Sequence, residues 1–262
     1  MKKSFWQVIF WVCFFLKVEC APTDSNGDMR FLSDGEAGMF FEKFLQNRGG
    51  GDFIFCIKIE TSSKQHGCFR GEGVILHHRT GGNSSYYVEI TDEAGNRRKF
   101  LLKNGAIGTN FVKNFNSDEP FIPGSLYTPN DLLLPFLNKN CRFKYCGPKK
   151  ICGRTTQQFI IATENSSAGP TVKFAKVSID SAFWQILEID YLGDGQKFLS
   201  RQRVLSLRKR GDHWLPKALE FLDGRTRERT KVIIVDFDFE TKLQDEFFKP
   251  DFCLKNSPPG EH

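Results

Sequence analysis

From Phe53 onward the chain changes face at every residue. Phe53, Phe55, Ile57 and Ile59 alternate with Ile54, Cys56, Lys58 and Glu60, the period of a strand with one face buried. Strand-like segments follow at 69–77, 85–92 and 98–103, separated by Gly81-Gly82 and Glu93-Ala94-Gly95-Asn96, which reads as an antiparallel meander. Six more run from 157–163, 172–179, 184–192, 198–207, 215–223 and 231–239, with turns at Gly193-Asp194-Gly195, Arg210-Gly211-Asp212 and Asp223-Gly224. In the last of these, Ile233, Val235, Phe237 and Phe239 share one face and Ile234, Asp236, Asp238 and Glu240 the other. Only two segments carry helical spacing. Phe31 to Asn47 places Phe31, Met39, Phe40, Lys43, Phe44 and Leu45 at helical intervals, with Asp34 as cap and Gly49-Gly50-Gly51 as stop. The second starts at Thr128-Pro129 and carries Leu132, Leu133, Leu134, Phe136 and Leu137. About ten or eleven strands with two helical segments and no repeated βαβ unit predict a mainly β fold with some α, a single antiparallel sheet large enough to curl.

The N-terminus breaks this pattern. Met1-Lys2-Lys3-Ser4, the apolar run Phe5 to Leu16, and small residues near Cys20-Ala21 read as a secretory signal peptide over residues 1–20. The run is too short for the about 20 apolar residues that a membrane span needs. Residues 21–262 carry no Pro/Ser-rich linker and read as one domain. Export bears on the cysteines: of eight in the chain, Cys56, Cys68, Cys141, Cys146, Cys152 and Cys253 remain after removal of 1–20. In an oxidising compartment they are disulfide candidates, with Cys56 and Cys68 placed to face one another across a hairpin. Zinc at Cys141, Cys146 and Cys152 is disfavoured, because the spacing fits no standard finger and no paired His lies nearby.

Charge changes little. The chain has 37 basic and 31 acidic residues, and losing 1–20 removes three Lys and one Glu, too mild a balance for a nucleic-acid partner. The basic stretches Arg201, Arg203, Arg208, Lys209, Arg210 and Arg225, Arg227, Arg229, Lys231 read as solvated strand faces. No metalloprotease, nucleophile-elbow, phosphate-loop or dinucleotide motif is present. His77 and His78 are adjacent on a strand, so they point to opposite faces and cannot share a metal; they read as a surface pair. Asp236, Asp238 and Glu240 read as a wet strand face, so no catalytic residue, metal site or cofactor is expected. What stands out is the aromatic content, 27 Phe against 4 Trp and 5 Tyr. A curled sheet that does not close has a concave apolar face, and helices over its mouth shield that face until a ligand displaces them.

Several short motifs occur in an order that carries a resemblance. They are Tyr127-Thr128-Pro129-Asn130-Asp131-Leu132, Cys152-Gly153-Arg154, Val177-Ser178-Ile179-Asp180, the turn from Tyr191 to Gly195, Trp214-Leu215-Pro216 and Phe247-Phe248-Lys249-Pro250-Asp251-Phe252. Their ordered set, from the Phe31 helix to Leu254, resembles the LolA-like outer-membrane lipoprotein-sorting proteins, a group that also contains the RseB and MucB sensor domains. The resemblance implies an incomplete antiparallel β-barrel with helical lid segments, located in the periplasm, whose cavity receives lipid or lipoprotein acyl chains. Its partners would be sorting components of the inner or outer membrane. The sensor-type alternative uses the groove to bind a protein. The chain departs from LolA in its length and its cysteines, and no lid-locking Arg aligns. Within this reading, Phe53, Phe55, Ile57, Val235, Phe237 and Phe239 face the cavity, and Leu132, Leu133, Phe136 and Leu137 belong to the lid.

Overall fold

The computed structural model describes residues 30–47, 51–63, 67–80, 83–104, 119–138, 140–163, 172–210 and 213–249; the leader and Cys253 lie outside these. One antiparallel sheet of eleven strands dominates. Its strands are β1 (Phe53–Ser63), β2 (Gly67–Thr80), β3 (Asn83–Asp92), β4 (Arg97–Asn104), β5 (Phe143–Ile151), β6 (Arg154–Ala162), β7 (Phe174–Asp180), β8 (Ile186–Leu192), β9 (Phe198–Arg210), β10 (His213–Asp223) and β11 (Arg229–Asp238). They run in the order β4-β3-β2-β1-β11-β10-β9-β8-β7-β6-β5. Two meanders are thus joined where β1 pairs with β11, and the chain between β4 and β5 passes from one free edge to the other. The sheet is not closed into a barrel.

Ten of these strands coincide with the alternating segments. The exception is β5, whose Gly147-Pro148 reads as a loop. Pro is tolerated there because β5 is an edge strand, where the missing N–H costs no ladder bond; Cys146 is the extra residue of a bulge before Gly147, which has φ +101°. A second bulge corrects the register read for β11. Cys56 pairs with Asp236 and Ile57 with Ile234, so Val235 is the unpaired residue between them. The bulge turns the face over: Val232, Ile234 and Phe237 are buried, and Val235 is 42% exposed.

Helix α1 (Asp34–Asn47) is capped one residue earlier than expected. Ser33 is the N-cap and Glu36 the third helical residue: the Glu36 carboxylate accepts from the Ser33 N–H and hydroxyl, both at 2.9 Å. The Ser33 backbone N–H is the main reason the Glu36 carboxyl sits below its usual range. The buried stripe is Ala37, Phe41 and Phe44, while Met39 and Phe31 are exposed. The second helix, α2 (Pro129–Leu133), is a short one. Pro135 cannot continue it, and Leu134 turns left-handed with φ 45°. Phe136 and Leu137 therefore lie beyond the helix, in the turn that follows. At its start the Asp131 carboxylate accepts from the Thr128 N–H and hydroxyl, each at 2.8 Å.

The cysteines are placed by register. Cys56 lies opposite Val74 and Cys68 opposite Ser62, so the two are six residues out of step along the hairpin, about 20 Å at the rise of a strand. The expected bridge between them does not form, and Cys56, Cys68, Cys146 and Cys152 are free thiols. Cys141 is half-buried beside the cluster around α1. No group of residues that could hold a metal occurs among the described residues.

Candidate functional site: the covered concave face

Two apolar clusters fill the concave side. The first joins β1 to β4 with β10 and β11, and includes Ile57, Ile75, Val88, Phe100, Leu102, Val232, Ile234 and Phe237 from the sheet. Onto it press Phe121, Ile122, Tyr127 and Leu133 from the β4–β5 connection. Two glycines lie on β2 under this face, and Gly71 makes room for the connection. Ile59 pairs with Gly71 and Ile57 with Gly73, and a Cβ at Gly71 would stand 2.4 Å from the Ile122 side chain. The connection thus rests on bare backbone, and a side chain here would lift it. The second cluster packs Phe41 and Phe44 of α1, with Leu134, Phe136 and Leu137, onto Phe159, Ile161, Val177 and Ile189 of β6 to β8. Phe41 lies 5.0 Å from Phe159 and 4.3 Å from Phe143.

Polar links between this cover and the sheet run through side chains. Thr230, fully buried and 3.0 Å from Thr61, accepts from the Leu126 N–H at 2.8 Å. Arg98 donates to the carbonyls of Pro120 and Phe121 at 3.1 Å each and pairs with Glu119. The Tyr145 hydroxyl accepts from the Leu32 N–H at 3.2 Å. Where the clusters meet, between Leu126, Asp131, Phe136, Tyr191 and Ser200, a cavity of about 160 Å³ remains. That is less than the about 300–1,000 Å³ of ordinary ligand pockets. The concave face as it stands is filled by its own side chains.

One end of it is aromatic and only half-covered. Phe53, Phe55 and Phe239 are half-buried around the buried Phe237: Phe53 and Phe55 stack at 4.3 Å, Phe239 meets Phe55 edge-on at 5.9 Å, and Phe237 is 5.4 Å from Phe239. Five of the six residues expected to face the cavity are therefore together on this side, Phe53, Phe55, Ile57, Phe237 and Phe239. Val235 is on the outer face. Leu132 and Leu133 of the cover join the first cluster, Phe136 and Leu137 the second.

Two polar residues at this end were not anticipated. His77 is not on the surface: it is 0% exposed, stacked on Phe53 at 4.5 Å and 4.6 Å from Tyr86. Its Nδ1–H donates to the Gly51 carbonyl at 2.9 Å, and its Nε2 has no partner among the described residues. Burial lowers its pKa to about 4, against the smaller opposing pull of the Gly51 carbonyl and of Asp52. Part of the signal was available, since His77 shares the parity of Ile75; its pairing with Phe53 is visible only in the fold. Its neighbour His78 does face outward, held between Asp52 at 2.8 Å and Asp245 at 3.0 Å and stacked on Phe248. Arg208 is the second. Its guanidinium lies 4.6 Å from the Phe237 ring and donates to the carbonyls of Ile234 and Val235, 3.3 Å each, so it buttresses the bulge in β11. Other residues of the basic stretches form ion pairs: Arg201 and Arg203, with Lys149, surround the buried Glu188, and Arg201 also holds Asp190.

No family model and no curated protein matches the sequence. Solved structures do match the fold. An outer membrane lipoprotein-sorting protein domain from Vibrio parahaemolyticus superposes with a TM-score of 0.64 at 14% identity, over 84% of this chain and 97% of that one. A DUF1329 family protein from Desulfovibrio piger gives 0.62 at 10% identity, over 82% and 96%. A LolA superfamily protein from Nitrosomonas europaea gives 0.60 at 10% identity, over 82% and 98%. In each, nearly the whole of the other chain is matched. The chain therefore has the fold of the LolA-like lipoprotein-sorting group.

Proposed function

We propose that this protein binds lipid or lipoprotein acyl chains on its concave face and shields them from water, as an exported, periplasmic factor in lipoprotein sorting. The observation that carries the reading is the composition of that face. It is mainly apolar, it belongs to an open sheet, and what covers it is tied down by a few side-chain hydrogen bonds rather than by a strand ladder. In this reading α1 and residues 119–137 are the lid. An acyl chain takes the place of Leu133, Phe136 and Leu137 when the lid lifts, each buried CH₂ contributing about 0.8 kcal/mol. Phe53, Phe55 and Phe239 form the entrance. Catalysis plays no part.

The test uses protein lacking residues 1–20, stripped of lipid in denaturant and refolded. Native mass spectrometry before stripping should show bound lipid, and the stripped protein should take up a fluorescent fatty acid saturably. Absence of both would sink the reading. Stable co-purification with a membrane protein, without fatty-acid uptake, would favour the sensor or scaffold role instead.

A further inference from the structure

The unpartnered nitrogen of His77 points to what the aromatic end of the face recognises. Buried polar atoms in folded proteins are nearly always hydrogen-bonded, and an orphan calls for a reason. Here the tautomer is set by geometry. A carbonyl oxygen only accepts, so the proton is on Nδ1, bonded to Gly51, and Nε2 presents a bare lone pair. The His77 ring lies against Phe53 and Tyr86, and Phe53 lies in turn against the half-buried Phe55 and Phe239. The charged groups that act on the ring are Asp52, Arg79 and His78. Asp52 is itself engaged by His78 and by the Leu243 N–H.

We propose that His77 Nε2 accepts a hydrogen bond from the polar end of a bound single-chain lipid, selecting an uncharged donor such as a hydroxyl or an amide N–H. The proposal rests on the acyl-chain reading above and adds a headgroup preference to it. A hydrocarbon body between Phe53, Phe55 and Phe239 leaves one donor to meet the one acceptor. A carboxylate binds less tightly on two counts, because it has no proton to give and because its charge would be buried against a lone pair without a cation bonded to it.

Displacement of a fluorescent naphthylamine probe from the stripped protein at pH 7 tests this with three ligands of equal chain length: dodecan-1-ol, dodecyl methyl ether and dodecanoate. The alcohol should compete at about tenfold lower concentration than the ether, the difference one buried hydrogen bond makes, and dodecanoate should be weakest. His77→Phe keeps a ring but no acceptor and should abolish the preference for alcohol; His77→Gln, which restores an acceptor, should regain part of it. Equal competition by alcohol and ether in the unaltered protein overturns the proposal, whatever the variants do, and so does a preference that survives in His77→Phe. Failure of all three ligands to displace the probe overturns the acyl-chain reading itself.

Discussion

Burial keeps His77 neutral at a cost that depends on pH. Its folded pKa is about 4, against about 6.5 for a free imidazole, so as pH falls the unfolded chain takes up the proton first. Its contribution is whole above pH about 6.5 and is lost on the way to about 4, on the order of 3 kcal/mol in all. Urea denaturation at pH 7 and pH 4.5 should show His77→Gln losing less stability across that interval than the unaltered protein. The bulge makes a second contrast between neighbours. Phe237→Ala removes a buried ring from under Arg208 and should cost about 3–5 kcal/mol, whereas the exposed Val235→Ala should cost less than about 0.5 kcal/mol. If the two fall together, the register of β11 is wrong. Gly73→Ala places a methyl group 2.2 Å from the Glu89 carbonyl oxygen, which is backbone and cannot step aside; a loss of about 1–3 kcal/mol is expected from the same measurement.

Among the elements, the strands were the most legible. Alternation such as that of Phe53 to Glu60 survives into the fold because β1 lies inside the sheet with one face on the core. Alternation failed at Val235 for a physical reason: Val232 to Val235 is apolar on both parities, so a one-residue slip leaves no mark in the sequence. Strand β5 was hidden by Gly147-Pro148, and the extent of α2 by the leucines continuing through Pro135. His77 was misread because its partner Phe53 comes from another strand, and pairing is not written in either segment alone. The cover offers a test at this scale. Arg98→Ala leaves the Pro120 and Phe121 carbonyls without their donor, yet Phe121 remains wedged edge-on against Phe100 at 4.9 Å. Hydrogen exchange should accelerate at the Phe121 and Leu126 amides and stay unchanged in β7 and β8. Equal acceleration in both would mean that cover and sheet open as one unit.

For the whole molecule, a curled sheet could be foreseen but not its assembly. That β1 closes against β11, that β4 and β5 are left free, and that the intervening chain crosses the concave side are relations between distant segments. The pairing of Cys56 with Cys68 was misjudged for the same reason, since a hairpin suggests proximity only until its register is known. Non-reducing peptide mapping of the purified protein should recover no peptide linking Cys56 to Cys68.

The two free edges have a further consequence. The edge strands are eight and nine residues long, no strand among the described residues lies beyond either, and such edges invite the edge of another copy. Strand β5 meets this with the bulge at Cys146, with Pro148, and with Lys144, Lys149 and Lys150; strand β4 carries Arg97, Lys99 and Lys103. A chain that spends time unfolded during export would most need such guards, because runs like Phe159 to Ala162 are then uncovered. Pro148 and its lysines are in this sense instruments of solubility: they keep the open sheet of one molecule from being completed by another.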